Sequence, residues 1–533
     1  MDEQESPQLG TIYSNDDELR LAAFGKKQQM KRYFNIWSLL FMSFCTSVTW
    51  EALTSTMAQA LIAGGSSSMV WGFLASAIGT LLIALSISEY ASIIPTAGGQ
   101  YDYVTELTPQ KFRRIFSWFA GWITIWGWIL SCVAGIFANS MQIQAYIILF
   151  KEDYHYERWH TSLILIGLAT VYTLVSIFGI RWLPKLQYFG IILHISGYLA
   201  TVIYLLAKVH PKNSAKFVFV SLTNLTGWKS DGISWSIGLL SSALGFVGWD
   251  SSSHMAEEMK YAARDLPRTM YGCVLTTGIL TFPWVIALMF CVTDIGGLLS
   301  GPVGLISPLT QLMYNVSGGE LSGTLGMTIF FLLLSSFVAG PSVLTATSRI
   351  VWSFAREGGM PKFLAQIDNT QEVPVNALLF TWLSVCGLAC IYIGNSTAFY
   401  GLASGCTVVL VFSYLFPILI HVIWGLKANG LKPGPFSLGK WSRPINIAAL
   451  AWGAYLTTFL CFPTVMPVSA TNMNYSCLVL GFAFVLATVT WLAYGSRTYR
   501  AAAQEVDIPT TKVAEVLVEE NAEHHHVSKC MDS

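Results

Sequence analysis

Residues 47–54 read SVTWEALT and lie in the middle of the first long hydrophobic segment, Ile36–Ala63. Glu51 therefore falls about halfway along a segment long enough to cross a bilayer. An ionisable side chain at that depth is energetically costly, which makes it a candidate functional residue. A hydrogen bond to a neighbouring helix is the alternative role for Glu51. Either way, the stretch predicts a helical membrane protein with a polar interior.

The composition is that of a protein embedded in lipid. Of its 533 residues, 53% are hydrophobic and only 11% are charged, whereas soluble domains carry about 25% charged residues. The 30 basic and 30 acidic residues balance, so no electrostatic footprint for nucleic acid is indicated. The sequence contains no P-loop, HExxH or GxSxG motif. We therefore expect no metal or other cofactor, and no process driven by ATP hydrolysis in this chain.

Hydrophobic runs near or above the 20 residues that a helix needs to cross a bilayer recur about twelve times. The predicted spans are Ile36–Ala63, Val70–Ile94, Ile115–Phe150, Ser162–Ile180, Leu186–Ala207, Ile233–Glu257, Met270–Val292, Leu321–Phe354, Asn376–Ile393, Ala398–Trp424, Ile445–Phe462 and Tyr475–Tyr494. They define a membrane domain over residues 33–496. Residues 1–32 and 497–533 are polar and acidic with little to bury, which predicts two disordered tails.

Basic residues set the predicted orientation. With the N-terminus in the cytoplasm, most Lys and Arg residues fall in inside loops, as the positive-inside rule requires. Of the 30 basic residues, the outside keeps only Lys151, Arg158, Lys208, Lys212, Lys216 and Lys229. The glycosylation candidates, each the Asn of an N-x-S/T sequon, also fall in outside loops: Asn224, Asn315, Asn395 and Asn474. The sequence thus predicts a multi-pass plasma-membrane protein with both termini in the cytoplasm.

Residues 47–54 interrupt the first apolar span with polar side chains. The sixth span carries a second interruption of this kind, reading GFVGWDSSSH at residues 245–254. Gly245 and Gly248 lower helix propensity. Trp249, Asp250 and a serine run follow, so an indole, an adjacent carboxylate and hydroxyls recur as they do in residues 49–51. These features predict a second broken helix.

The two interruptions occupy equivalent places if the chain contains two five-span repeats, over residues 36–207 and 233–424. Because five is odd, the repeats would sit inverted in the membrane, with two extra helices over residues 445–494. Interrupted segments at corresponding positions of two halves are the best sequence pointer to a transporter binding site. Two unrelated helices that each contain glycine and an acid are the alternative explanation.

Three motifs resemble the amino acid–polyamine–organocation superfamily. PTAGGQY at residues 95–101 is similar to the loop after its second span. HMAEE at residues 254–258, followed by RDLPR at 264–268, resembles the fungal amino acid/choline transporter branch, which includes permeases for γ-aminobutyrate and for choline. SRIVWSFAREGGMP at residues 348–361 resembles the turn after span eight, with Glu357 in place of the commoner Asp.

The resemblance runs from about Tyr33 to Tyr494. It implies an all-α, five-plus-five inverted-repeat fold with two further C-terminal helices. It also implies that segments one and six unwind at mid-membrane, that transport proceeds by alternating access, and that protons usually supply the driving force.

The two interruptions supply the predicted substrate-binding residues. N-termini of half-helices present N–H groups to a carboxylate, while acids and indole faces suit an ammonium group. The candidates are Thr49, Trp50, Glu51, Gly245, Gly248, Trp249, Asp250 and Trp126. Capping of the lower half-helix is the alternative role for Asp250. Trp126 and Trp128 are two positions apart, so at most one of them faces the site.

Glu51 and His194 are the candidates for proton coupling. His194 lies in the middle of span five, and the pKa of an ordinary histidine lies near physiological pH. A hydrogen bond across helices is the alternative role for His194.

We expect a permease that imports a small amino-bearing solute, with γ-aminobutyrate or a related amino acid first. A permease for choline, another quaternary ammonium or a polyamine is the alternative, since the sequence offers groups for each. A non-transporting nutrient sensor is disfavoured because neither tail has a domain-sized apolar pattern. The expected partners are the solute, the lipid bilayer and ubiquitin machinery acting on Lys26, Lys27 or Lys512 of the tails.

Overall fold

A computed structural model describes residues 17–501, apart from residues 152, 322 and 471. The described chain is a bundle of helices, as predicted. Its longer helices are α1 (Ile36–Ser47), α2 (Thr49–Ala63), α3 (Gly65–Ile93), α4 (Gln100–Leu107), α5 (Gln110–Phe150), α6 (Arg158–Phe178), α7 (Leu183–Lys208), α8 (Ala215–Val220), α9 (Asp231–Leu244), α10 (Ala262–Cys291), α11 (Ile295–Ser300), α12 (Pro308–Val316), α13 (Gly323–Arg356), α14 (Val375–Gly394), α15 (Ser396–Trp424), α16 (Ser442–Phe459) and α17 (Ser476–Thr490).

Nine segments of the described chain are helical, long and apolar enough to cross a membrane. They correspond to predicted spans one to five, seven, nine, ten and twelve. Span six is divided between α9 and a 3₁₀ helix, Ser251–Glu258, so neither piece is long enough alone. Spans eight and eleven are occupied by α13 and α16. The prediction of an all-α polytopic membrane protein is confirmed, whereas the domain and repeat boundaries stay predictions.

The first span is broken at Val48. Helix α1 is capped by Asn35, whose side chain accepts a hydrogen bond from the Ser38 N–H at 2.9 Å in a capping box. It ends where Val48 adopts the left-handed conformation, with φ 40° and ψ 47°. That conformation is rare for a β-branched residue and costs on the order of 1–3 kcal/mol. The chain restarts as α2 at Thr49, so the break lies within the stretch that the sequence singled out.

The sixth span breaks beside the first. Helix α9 ends at Leu244, and Gly248 has φ +94°, a conformation that favours glycine. A Cβ at Gly248 would lie 2.9 Å from Cγ2 of Thr46, and one at Gly245 would lie 3.1 Å from the Thr49 carbonyl oxygen. The two breaks therefore pack directly against each other. Their contact gathers four half-helix ends in one place.

Buried ion pairs join the helices at the face that carries both ends of the described chain, which we call the terminal face. Arg349 Nε lies 2.8 Å from Glu258, and Arg356 lies 2.7 Å from Glu257. All four side chains are buried. The pairs tie the end of α13 to the 3₁₀ helix of the broken sixth span and hold this face closed.

Replacing Arg349 with Gln should lower the free energy of unfolding by about 3–5 kcal/mol, because Glu258 would keep a buried charge without its partner. The check is chemical denaturation of the purified protein in detergent micelles. Arg268→Gln is the matched control, since the Arg268 side chain is 52% exposed and pairs with Asp265 at 3.2 Å. The control should change stability by less than about 1 kcal/mol. Equal effects of the two substitutions would contradict the prediction.

The predicted disorder of residues 1–32 is wrong for residues 17–32. Residues 17–23 are helical, and Lys26 is only 3% exposed. Its Nζ lies 2.5 Å from Asp102 and 2.8 Å from Glu357, two acids from distant loops that composition alone does not pair with it. The Lys26 ammonium is therefore inaccessible to ubiquitin machinery in this structure. Residues 1–16 and 502–533, which include Lys512, lie outside the described residues.

The predicted disorder after residue 497 is also wrong for the first residues of that tail. Tyr499 is buried, and its hydroxyl lies 3.1 Å from Oγ of Ser117. The Arg500 N–H donates to the Glu357 carbonyl at 2.9 Å. Aromatic packing holds this part of the tail against the bundle, since the Tyr499 ring contacts Trp118 edge-on with 5.2 Å between centroids.

Candidate substrate site

The start of α2 presents unused hydrogen-bond donors. The first N–H groups of any helix have no intrahelical acceptor, and the positive end of the helix dipole lies there. At this start, Oγ1 of Thr49 and Nε1 of Trp50 are buried, and neither has a hydrogen-bond partner within the described chain. This arrangement suits a small anionic group such as a carboxylate.

Glu51 occupies the first turn of α2 and forms an ion pair with Nδ1 of His194 on α7. Both side chains are buried, Glu51 at 7% exposure and His194 at 1%. The Phe44 ring closes the pair on one side, edge-on to His194 with 5.6 Å between centroids. The structure thus brings together the two residues predicted for proton coupling, although they are 143 positions apart.

Asp250 is fully buried and already has protein partners. Its carboxylate accepts hydrogen bonds from Nε2 of Gln100 at 2.5 Å and from the Tyr414 hydroxyl at 2.6 Å. Nε2 of His254 lies 3.5 Å away. Asp250 therefore anchors the broken sixth span to α4 and α15. Its side chain makes no capping hydrogen bond to the 3₁₀ helix that it precedes, so the capping role is not seen either.

Glu51 and Asp250 are paired with different helices. Glu51 pairs with α7, whereas Asp250 is bonded to α4 and α15. That both acids bind the solute stays a prediction, but each already has its own protein partner. The physical reason is that a buried carboxylate must be paired, and each acid satisfies that need on a different helix.

The predicted tryptophans divide into two groups. Trp50 packs edge-on against Trp284 of α10 with 5.1 Å between centroids, and Trp249 packs against Tyr414 at 5.1 Å. Both therefore lie at the breaks but contact protein aromatic rings. Trp126 is 5.0 Å from Phe482 of α17 and is thus directed away from the breaks.

Trp128, rather than Trp126, reaches the broken sixth span. Its ring lies edge-on to His254 with 5.1 Å between centroids, and its Nε1 is buried without a hydrogen-bond partner in the described part of the chain. The spacing of the two tryptophans predicted that at most one faces the site, and the candidate chosen, Trp126, is not the one that contacts the broken sixth span. Sequence reasoning also missed Tyr414, for which the sequence gives no signal, and Gln100, which lies inside the motif at residues 95–101.

The sequons differ in accessibility. Asn315 and Asn395 are exposed, and Asn224 is half-buried with its amide bonded to the Trp228 carbonyl at 2.9 Å. Asn474 is buried, and its amide donates to the carbonyls of Leu460 at 2.6 Å and Phe462 at 3.0 Å. The Asn474 amide is therefore engaged inside the fold, and Asn474 is the least accessible of the four candidates.

A helical membrane bundle in which two interrupted helices meet and present half-helix ends to one polar region is the architecture of a secondary transporter. The family described as amino acid permease matches residues 34–484, and the chain belongs to that family. The resemblance drawn from the motifs is thereby confirmed.

Fungal proteins resemble the chain over most of its length. An uncharacterized amino-acid permease of Schizosaccharomyces pombe is 30% identical over 93% of this chain and 91% of its own length. A choline transporter of Saccharomyces cerevisiae is 30% identical over 91% of this chain and 85% of its own. Amino-acid permease 2 of Neurospora crassa is 28% identical over 93% and 90%. The chain is thus a multi-pass membrane transporter rather than an enzyme.

Proposed function

We propose that this chain imports a small zwitterionic amino acid, with γ-aminobutyrate as the leading candidate, across the plasma membrane. The observation that carries the proposal is the start of α2. There, the first backbone N–H groups of α2 and the unpartnered Oγ1 of Thr49 and Nε1 of Trp50 lie next to Glu51, whose carboxylate is already paired with His194. A solute with a carboxylate uses these donors, whereas choline has no carboxylate to offer them.

The ammonium end of the solute requires acceptors, and the opposite half-helix ends supply them. The last carbonyl groups of a helix lack intrahelical donors, and the negative end of the dipole lies there. Both α1 and α9 end at the breaks, at Ser47 and Leu244. We therefore assign the ammonium group to backbone carbonyl oxygens, and the side chains of Glu51 and Asp250 to other roles.

Proton coupling is assigned to the pair of Glu51 and His194. A carboxylate and an imidazole in contact inside the membrane share a proton and can release it when the helices that carry them separate. The two residues lie on different helices, α2 and α7, so movement of the first span against the fifth would change their contact. With both termini in the cytoplasm, the proton and the solute move inward together.

Choline is the second candidate, because indole rings line the breaks and a 30% identical relative is named as a choline transporter. Aromatic faces recognise quaternary ammonium groups. In this structure, however, Trp50 and Trp249 are packed against other rings, which favours the zwitterion.

Uptake of radiolabelled γ-aminobutyrate by a permease-deficient yeast that expresses the chain tests the substrate. We expect saturable uptake that other zwitterionic amino acids inhibit and that choline and polyamines leave unchanged. Inhibition by choline alone, together with direct choline uptake, would replace the proposal with the second candidate. Failure of every amino compound to enter, with normal surface expression, would support the sensor.

The same cells test the driving force. Uptake should rise as the medium is acidified and should collapse when a protonophore is added, because the solute enters with a proton. A vector-only strain measured at each pH is the control for endogenous uptake. Uptake that persists without a proton gradient and requires sodium would overturn the assignment of the coupling ion.

A further inference from the structure

Acidic and aromatic side chains enclose the Lys26 ammonium at the terminal face. Its ammonium lies 2.5 Å from Oδ2 of Asp102 and 2.8 Å from Oε1 of Glu357, and it sits 5.7 Å from the centre of the Tyr101 ring. All three charged side chains are at most 4% exposed. The Thr96 hydroxyl donates to the same Asp102 oxygen. Two carboxylates, an aromatic face and an enclosing wall form a built site for a primary ammonium ion.

Electrostatics keep the Lys26 ammonium charged in this site. Burial acts to lower the pKa of Lys26, but the carboxylates of Asp102 and Glu357 outweigh it and raise the pKa above its ordinary value. Burial and the neighbouring Asp102 act to raise the pKa of Glu357, and the ammonium of Lys26 opposes that rise. Two buried carboxylates side by side repel each other, so the pair requires a cation.

The acids belong to different structural elements, so the ammonium bridges them. Asp102 is on the short helix α4, and Glu357 directly follows α13. The segment that carries Lys26 is itself fastened to the broken sixth span, because Nε2 of Gln28 donates to the Glu257 carbonyl at 2.7 Å. The other chain end reaches the same place, where the Arg500 N–H binds the Glu357 carbonyl at 2.9 Å.

We propose that Asp102 and Glu357 form a binding site for a primary ammonium ion, and that Lys26 of the same chain occupies it as a tethered ligand that latches the terminal face shut. Opening of this face separates α4, the end of α13 and the sixth span, so the Lys26 ammonium must leave before the face opens. A free primary amine in the surrounding solution is then the competing ligand for the vacated acids. The latch is independent of which solute the protein carries.

Hydrogen–deuterium exchange of the purified full chain in lipid nanodiscs measures the latch without any transported solute. We expect Lys26→Ala to speed amide exchange in residues 251–258 by about tenfold or more, since these residues are protected by the closed face. Lys27→Ala is the matched control and should exchange like the wild type, because it leaves the ammonium site intact. Millimolar 1-propylamine, protonated at neutral pH, should restore slow exchange to Lys26→Ala.

Two further arms separate a binding site from a purely structural contact. Tetramethylammonium has the charge but no N–H donor, and it should not restore slow exchange. The neutral triple variant Lys26→Met, Asp102→Asn, Glu357→Gln avoids buried unpaired charge. It should fold and show fast amide exchange in residues 251–258, and propylamine should not change that exchange rate.

Slow exchange in Lys26→Ala would overturn the latch, and fast exchange that propylamine does not reverse would overturn the ammonium site. If Lys26→Ala does not fold, the triple variant decides, and slow exchange in it overturns the latch. The uptake assays can fail while this one succeeds, so the two proposals are tested separately.

Discussion

Glu51→Gln should abolish solute uptake while the protein still reaches the cell surface. The substitution keeps the shape of the side chain but removes its charge, which leaves His194 buried beside a neutral amide. Removing one partner of a buried pair costs about 3–5 kcal/mol. The population of any conformational state that depends on the Glu51–His194 pair should therefore fall at least a hundredfold. Radiolabelled uptake, normalised to surface expression of a fluorescent fusion, is the measurement.

The double variant Glu51→Gln with His194→Gln separates proton coupling from structural support. It replaces both charged partners with amides that can still hydrogen-bond, so a purely structural pair would be restored and uptake would recover. We expect uptake to stay absent, because neither amide takes up a proton near neutral pH. Wild-type uptake by Glu51→Gln alone would remove Glu51 from the transport mechanism.

The broken helices could be predicted from sequence because their causes are local. A carboxylate next to an indole within an apolar span, and two glycines three positions apart, are visible without any tertiary information. The structure places the breaks at Val48 and at Gly248, inside the two predicted stretches. The exact residue that takes the left-handed conformation in the first break was not predictable, since valine is a poor choice for it.

The partners of the polar residues could not be predicted, because they are contributed by distant helices. A sequence reveals that Asp250 lies at bilayer depth, but the need to pair it is met by Gln100 and Tyr414, 150 and 164 positions away. The same limit explains Lys26, which composition assigned to a disordered tail. A charged residue at bilayer depth is therefore a reliable sign of a polar network. Deciding whether that residue binds the substrate requires the tertiary structure.

Gly248→Ala should also abolish uptake, through the backbone rather than through charge. Gly248 has φ +94°, where an alanine is strained by about 1–3 kcal/mol. The added Cβ would also lie 2.9 Å from Cγ2 of Thr46, so the two breaks could not keep their present contact. Since the substrate groups are the helix ends at these breaks, separating them dismantles the site even though no polar side chain is lost.

Gly387→Ala on α14 is the matched control for this substitution, because a Cβ there meets no atom within 4 Å. Alanine is also the better helix former by about 1 kcal/mol, so the control should keep or slightly raise stability and leave uptake unchanged. Both variants should be compared for surface expression and for uptake over a range of solute concentrations. Wild-type uptake by Gly248→Ala would mean that the contact between the breaks is not needed for transport. Loss of uptake with normal expression would instead locate the function in the backbone of the interrupted helices, where the unpaired donors and acceptors are.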